Sequence, residues 1–137
     1  MLNWRGIVIH CSDSEFGDAE MIDRWHKERG WSGIGYHFVI TRSGTVQLGR
    51  TLHRSGAHAK GYNTSHIGIC LIGVKQFNHV QFKALDDIVK ALMGAFDIKL
   101  HNIIGHYQCR GTNKTCPNFD VDKYKEKLGD VKWVLDI

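Results

Sequence analysis

The hydrophobic positions of the chain fall into short continuous apolar runs that predict buried strands. The longest run covers residues 4–11 and is typical of a strand that is covered on both faces. Residues 66–72 and 102–105 form two further apolar runs of the same kind. Residues 37–41 and 45–48 flank an Arg-Ser-Gly turn, which is a hairpin signal. Five strands are therefore expected.

Three other segments have the period of amphipathic helices. Asp18 can cap the first helix, which Gly30 is suited to end, and Asp120 can cap the third. Asn78 and Gln81 have capping-box spacing at the start of the second helix. The positions expected to face the core are Met21, Ile22, Trp25, Leu85, Ile88, Val89, Leu92, Phe96, Val121, Tyr124 and Leu128. The order β-α-β-β-loop-β-α-β-loop-α predicts an α/β fold with a central mixed sheet and about three flanking helices.

Composition narrows the class of protein. The chain has 137 residues, which predicts a single domain over 1–137. Its 42% hydrophobic and 23% charged residues, with one proline, exclude disordered, collagen-like and membrane-spanning chains. The net charge of +4 suits an anionic polymer such as bacterial cell wall. Because basic residues do not form a stripe interleaved with aromatic residues, we do not expect nucleic acid as a partner.

The amino-terminal segment bears on the compartment and on the cysteines. Its apolar stretch is short and is interrupted by His10, which does not fit a signal peptide. We therefore expect synthesis in a cytoplasm, where the four cysteines need not form disulfides. Cys11 and Cys70 lie in apolar strands and are expected to be buried thiols. A small disulfide loop between Cys109 and Cys116 remains open, and metal ligation by Cys116 is the alternative.

Two predicted strands end in histidine, at His10 and at His106. If these strands are parallel neighbours, both imidazoles lie at the edge of the sheet where α/β proteins bind ligands. Cys116 follows His106 on a polar loop. Two imidazoles and one thiolate would leave a fourth zinc position for water, which is typical of a catalytic site. Spacing alone does not exclude the alternative, a pair of hydrogen-bonded histidines at the rim of the sheet.

Several sequence blocks, in order and at compatible spacing, carry a resemblance to a known family. They are the segments His-Cys-Ser (10–12), Trp-His-Lys-Glu-Arg-Gly-Trp (25–31), Gly-Tyr-His-Phe (35–38), Gly-Thr-Val (44–46), Gly-Ala-His-Ala-Lys-Gly-Tyr-Asn (56–63), Ile-Gly-Ile-Cys-Leu-Ile-Gly (67–73) and Lys-Thr-Cys-Pro (114–117). Together they resemble the type 2 N-acetylmuramoyl-L-alanine amidases, a family that includes phage endolysins and animal peptidoglycan recognition proteins. The resemblance extends over nearly the whole chain.

The resemblance implies a Zn²⁺-dependent hydrolase that cleaves the amide bond between N-acetylmuramic acid and L-alanine in peptidoglycan. The family's zinc ligands fall on His10, His106 and Cys116, the triple already chosen from the residues. The family's catalytic tyrosine falls on Tyr36 and its catalytic lysine on Lys114. Lysine would stabilise the oxyanion of the tetrahedral intermediate, and tyrosine would orient water or donate to the developing charge. Which of the two transfers the proton to the leaving amine stays open.

The loop over residues 54–63 is expected to line the substrate cleft. His58 is predicted to be an imidazole near the zinc that contacts substrate, and Asn63 to hydrogen-bond the peptide. The alternatives are a histidine at the rim for His58 and a left-handed turn for Asn63. We also expect Trp31 to belong to the core rather than to a sugar platform, and His26 to lie at the surface.

The resemblance further implies a phage or prophage endolysin that lyses the host cell. Such a protein would stay in the host cytoplasm until the membrane is breached, and would then act on the periplasmic wall without inserting into a membrane. We expect a monomer. A phage member of the family also binds a phage RNA polymerase through an amino-terminal extension that this chain lacks, so that partner is a secondary expectation. The rival class is a non-catalytic muropeptide-binding module, which typically loses the cysteine ligand that Cys116 retains here.

Overall fold

The computed structural model describes residues 2–130. Its strands and helices are, in chain order, β1 (Gly6–Cys11), α1 (Ala19–Glu28), β2 (Phe38–Ile40), β3 (Val46–Leu48), β4 (His66–Leu71), α2 (His79–Phe96), β5 (Ile103–Gly105) and α3 (Val121–Asp130). Short 3-10 helices, Leu100–Asn102 and His106–Gln108, precede and follow β5. The order of elements predicted from the hydrophobic pattern is confirmed.

The strands form one sheet in the order β3-β2-β4-β1-β5. β1 pairs in parallel with both β4 and β5, and β2 pairs in parallel with β4. β3 is antiparallel to β2, so the sheet is mixed, as predicted. Every residue of β1 is buried. This burial explains why the segment is a continuous apolar run rather than an alternating one.

Two apolar layers cover the sheet. On one face, Ile67, Ile69 and Leu71 of β4 belong to the same buried cluster as Leu85 of α2 and Val121 of α3. On the other face, α1 packs against the alternate strand positions. The members of this second cluster are Ile22, Ile34, Val39, Cys70 and Ile72. The alternation of neighbouring residues between two clusters is the period of a strand.

The predicted helix starts are confirmed by their caps. The Asp18 carboxylate accepts a hydrogen bond from the Met21 backbone N–H at 2.8 Å. Asn78 and Gln81 form the reciprocal capping box at the start of α2. A cap of this kind contributes about 1 kcal/mol to helix stability.

Two details bear on the predictions, namely the exposure of Phe96 and the state of the cysteines. Phe96 is 38% exposed, because α2 ends there and Asp97 takes a left-handed conformation. All four cysteines are free thiols, so a disulfide between Cys109 and Cys116 is not formed.

Within the described residues, no helix combines the length and the apolar character that crossing a bilayer requires.

Candidate metal centre

Parallel pairing of β1 with β5 brings the two strand-end histidines together. Ile9 of β1 lies opposite Gly105 of β5, so His10 and His106 follow at the same edge of the sheet. Their ring centroids are 4.5 Å apart. The juxtaposition expected from the two strand ends is therefore present.

Cys116 completes a three-residue group with these histidines. One candidate ligand atom from each of His10, His106 and Cys116 lies within 4.8 Å of the other two. The loop that carries Cys116 returns to β1, because the Cys11 backbone N–H donates to Cys116 Sγ at 2.9 Å. The Tyr107 backbone N–H donates to the Cys116 carbonyl at 2.9 Å. Two nitrogens and one sulfur are a donor set that zinc accepts, so the residues fit that metal.

The electrostatics of the histidines also fit a cation. Burial, together with the neighbouring His58 and His106, holds the pKa of His10 well below its usual range. Burial and then the charge of Lys114 lower the pKa of His106. Both rings are therefore neutral near pH 7, which is the form that ligates metals.

Cys116 responds in the opposite way to its surroundings. The hydrogen bond with the Cys11 thiol and then burial raise the pKa of Cys116. Without a cation beside it, this sulfur is therefore a thiol near pH 7. A metal ion reverses that preference because it binds the deprotonated form.

Tyr36 and Lys114 approach the group from different sides. Tyr36 lies just before β2, and its ring centroid is 4.9 Å from that of His10. Burial raises the pKa of Tyr36 well above its usual range, so the hydroxyl stays a neutral donor. Lys114 is exposed and lines a cleft of about 720 Å³ with Lys75 and Asn118. Lys114 is close enough to the proposed metal ligands for its charge to lower the pKa of His106.

His58 lies behind His10 rather than at the rim. Its side chain is buried, and its Nδ1 is 2.9 Å from Nε2 of His10. Its Nε2 is 2.9 Å from the carbonyl oxygen of His66. Burial lowers the pKa of His58 to about 3. Both ring nitrogens therefore face protein partners.

Asn63 organises the loop that carries His58. Its side-chain oxygen accepts hydrogen bonds from the backbone N–H groups of His58, at 2.7 Å, and Ala59, at 2.9 Å. Its backbone carbonyl accepts from the Gly56 N–H at 2.9 Å. Asn63 does not take the left-handed conformation that we considered as an alternative. Its contact with a peptide substrate stays a prediction.

Two expectations about aromatic and histidine residues are wrong. His26 is buried, and its Nδ1 accepts a hydrogen bond from the Gly35 N–H at 3.0 Å. Its ring lies 5.6 Å from that of Tyr36, so it supports the tyrosine from behind. Trp31 is 43% exposed and covers His26 at 4.6 Å between ring centroids. The helical spacing from Ile22 to His26 was the signal that places His26 on the inner face of α1.

A basic cleft adjoins the metal-ligating group. It has a volume of about 630 Å³, and its lining includes Lys60, Tyr62, His106 and Arg110. The Arg110 backbone N–H donates to the Tyr62 hydroxyl at 3.2 Å, which joins the two walls of this cleft. A polymer with carboxylate groups would find two cations beside His106 here.

Two histidines and one cysteine at the edge of a mixed sheet form a site of the kind that catalytic zinc ions use, and the comparison with families names the class of enzyme. The model of the N-acetylmuramoyl-L-alanine amidase family matches residues 1–119, and the chain belongs to this family. The resemblance inferred from the sequence blocks is thus confirmed.

Individual relatives point the same way. The chain is 35% identical to the endolysin of Escherichia phage T7 over 135 residues, which covers 88% of this chain and 85% of the phage protein. Among solved structures, it resembles the N-acetylmuramoyl-L-alanine amidase LysC from Clostridium intestinale URNW with a TM-score of 0.85 and 34% identity, covering 93% of this chain and 87% of that one. Drosophila PGRP-LB gives a TM-score of 0.75 at 25% identity, covering 96% of this chain and 83% of that one.

Proposed function

We propose that this chain is a zinc-dependent N-acetylmuramoyl-L-alanine amidase that acts as a phage or prophage endolysin. The reaction is hydrolysis of the amide bond between N-acetylmuramic acid and L-alanine in bacterial peptidoglycan. The observation that carries the proposal is the convergence of His10, His106 and Cys116 within 4.8 Å at one edge of the sheet. Membership of the amidase family and the likeness to phage endolysins support it.

The three residues would hold one zinc ion and leave room for a water molecule. When bound, zinc lowers the pKa of such a water to about 7 and polarises the carbonyl that is attacked. The ion would keep a net charge of about +1, because one thiolate and two neutral imidazoles supply a single negative charge. Neutral His10 and His106, with their lowered pKa values, suit this arrangement.

Lys114 and Tyr36 supply the remaining chemistry in this proposal. Amide hydrolysis passes through a tetrahedral oxyanion, and a positioned donor stabilises that charge by about 3 kcal/mol. Lys114 carries an ammonium group on the loop that carries Cys116, which suits it to this role. Tyr36 stays protonated because burial raises its pKa. Its hydroxyl would orient the attacking water or donate to the oxygen on which charge develops.

Peptidoglycan would occupy the basic cleft beside His106. Lys60 and Arg110 line it, and their charges complement the carboxylates of a peptide stem. The loop over residues 54–63 supplies Lys60 and Tyr62 to this cleft, whereas the ring of His58 stays behind His10 with both nitrogens bound to protein. The contact of Asn63 with a peptide substrate is part of the proposal, and a direct contact of the His58 ring is not. The whole chain would be a single catalytic domain that works as a monomer. Like the phage endolysins, it would reach the wall after synthesis in the host cytoplasm.

Turbidity loss of outer-membrane-stripped cells, followed by mass analysis of the products, tests this function. We expect lysis that a chelator stops and added zinc restores, with release of peptide stems that begin in L-alanine. The Cys116→Ser variant is the matched control, because it keeps a small polar side chain and removes the thiolate. Cleaved sugar–sugar bonds, or lysis that persists after chelation, would contradict the proposal. Binding of wall fragments without any product would favour the non-catalytic recognition module.

A further inference from the structure

Three groups form a buried hydrogen-bonded series that leads away from the proposed zinc site. His10 Nε2 lies 2.9 Å from Nδ1 of His58, and His58 Nε2 lies 2.9 Å from the carbonyl oxygen of His66 in β4. A carbonyl oxygen can only accept a hydrogen bond. The hydrogen on this side must therefore sit on His58 Nε2.

The other end of the series follows from the surroundings of His58, because a buried ring whose neighbours include two other imidazoles and a backbone carbonyl is neutral. A neutral imidazole with hydrogen on Nε2 has a lone pair on Nδ1. His58 Nδ1 therefore accepts, and His10 Nε2 donates. This direction leaves His10 Nδ1 without a hydrogen.

We infer that His58 is a positioning residue that holds His10 in the Nε2–H tautomer and so reserves Nδ1 of His10 for the metal. The inference rests on the proposed zinc site and adds which nitrogen of His10 ligates. The His66 carbonyl in β4 sets the direction of both hydrogen bonds, because it can only accept. The backbone of β4 thereby determines the tautomer of His10. Partners of this kind fix the tautomer and orientation of a ligating ring.

The space around His58 is built for a ring in this one position. A Cβ at Gly68 would lie 2.7 Å from Cδ2 of the His58 ring, and a Cβ at Gly56 would also collide with it. The Asn63 side chain holds the backbone N–H of His58 at 2.7 Å. Two glycines and one asparagine therefore hold the imidazole against His10.

His37 offers an internal comparison. The Gly68 backbone N–H donates to His37 Nδ1 at 3.1 Å, and His37 Nε2 lies 3.0 Å from the Arg54 carbonyl oxygen. The backbone thus selects the Nε2–H tautomer of His37 as well. Its two ring nitrogens bond to backbone and neither reaches His10. A variant at this site perturbs a buried ring that neighbours His58 but removes neither hydrogen bond of the series.

The first experiment measures tautomers by long-range proton–nitrogen NMR on metal-free protein with labelled histidine. We expect His10, His58 and His37 all to carry hydrogen on Nε2. A His10 ring with hydrogen on Nδ1, or an even mixture, would overturn the inference. This measurement needs no variant and no activity. It can therefore fail while the amidase proposal stands.

The second experiment compares zinc affinities by competition with a chromogenic chelator. His58→Phe keeps a ring but removes the acceptor, and we expect a loss of roughly tenfold to a hundredfold in zinc affinity. His58→Asn keeps an oxygen near the position of Nδ1, and we expect the loss to stay within about threefold. His37→Asn is the matched control and should leave both zinc affinity and the His10 tautomer unchanged. Thermal melting of each metal-free variant checks the fold.

The outcomes distinguish the positioning role of His58 from the proposed function as a zinc amidase. Equal losses in His58→Phe and His58→Asn, or no loss in either, would overturn the positioning role. Wild-type protein that binds no zinc would overturn the proposed function instead, whatever the tautomers are. Should His58→Phe fail to fold, the wild-type tautomers decide the question.

Discussion

The two sides of the metal centre are built in different ways. On the strand side, His10 is 1% exposed in β1, which lies between β4 and β5, and the buried His58 ring stands behind it. On the loop side, Cys116 is half-buried and Lys114 is exposed, in a segment joined to the core by single hydrogen bonds such as that from the Cys11 N–H. On the strand side, the register of β1 fixes the position of His10. On the loop side, individual hydrogen bonds to the core fix the position of Cys116. In the proposed zinc enzyme, a change on the strand side would therefore affect both metal binding and folding stability, and a change on the loop side would affect mainly catalysis.

Removing one ligand from each side gives the largest expected effects. Both Cys116→Ser and His10→Ala should abolish zinc binding and wall hydrolysis. Only His10→Ala should also weaken the metal-free fold, by about 1–3 kcal/mol, because it leaves the buried His58 Nδ1 without a partner. Serine at 116 can still accept from the Cys11 N–H. Urea unfolding of chelator-treated protein measures the difference, and equal stabilities would break the comparison.

Lys114→Ala tests the chemistry of the loop side. We expect a roughly hundredfold to thousandfold lower kcat with unchanged zinc content, because one oxyanion donor is lost. Lys75→Ala is the matched control, since Lys75 lines the same cleft as Lys114. Rates are measured on purified peptidoglycan, and metal content by elemental analysis. Wild-type rates for Lys114→Ala would remove this lysine from the mechanism.

The pH dependence of stability should belong to the strand side. Burial lowers the pKa of His58 to about 3, whereas an exposed imidazole titrates near 6.5. Between these values the unfolded chain binds a proton that the folded chain does not. The free energy of unfolding therefore falls as pH falls below about 6.5, by at most about 1.4 kcal/mol per pH unit for this group.

Urea unfolding of metal-free protein at pH 7 and pH 5 measures this dependence. From pH 7 to pH 5 the free energy of unfolding should fall in both proteins. We expect the fall to be about 1–2 kcal/mol smaller in His58→Asn than in wild type. Lys114→Ala should show the wild-type dependence. A dependence that His58→Asn leaves intact would assign acid sensitivity to other buried histidines, among which His26 and His37 also have lowered pKa values.

The smallest effect is expected from a hydrogen bond within the exposed loop. The Thr115 hydroxyl donates to the Asn118 side-chain oxygen at 2.6 Å. Thr115→Val removes this bond at a solvated site, so we expect a loss of about 1 kcal/mol or less in the free energy of unfolding. Zinc affinity should change by less than about tenfold if the neighbouring Cys116 is held mainly by Cys11. Competition with a chelator measures it, and a larger loss would show that the loop side is preorganised too.

The parts of the fold that depend on local chemistry were predictable from the sequence. The capping box of Asn78 and Gln81 lies within one turn, and strands buried on both faces leave continuous apolar runs. The pairing of His10 with His106 was also accessible, because parallel strands present their carboxyl ends at one edge. Each of these inferences needs only short-range pattern and the geometry of a sheet.

The remaining features depend on contacts between distant segments. Spacing proposed the triple of His10, His106 and Cys116, but nine histidines and four cysteines allow many triples, so the family resemblance was needed to favour this one. The position of His58 follows from two glycines that leave space for its ring, one of them in β4. Trp31 was expected in the core rather than in a sugar platform, yet it follows the end of α1 and covers His26 from the solvent side. Hydrophobic character does not show which side of a ring meets water.

The hydrogen bond between Cys11 and Cys116 joins positions 105 residues apart in the chain. A ribosome must therefore deliver almost the whole described polypeptide before the third ligand can meet the first. Earlier fragments hold at most the two histidines. In the proposed zinc enzyme, binding of the ion would then close the long loop between His10 and Cys116. It would stabilise the sheet at a late stage of folding.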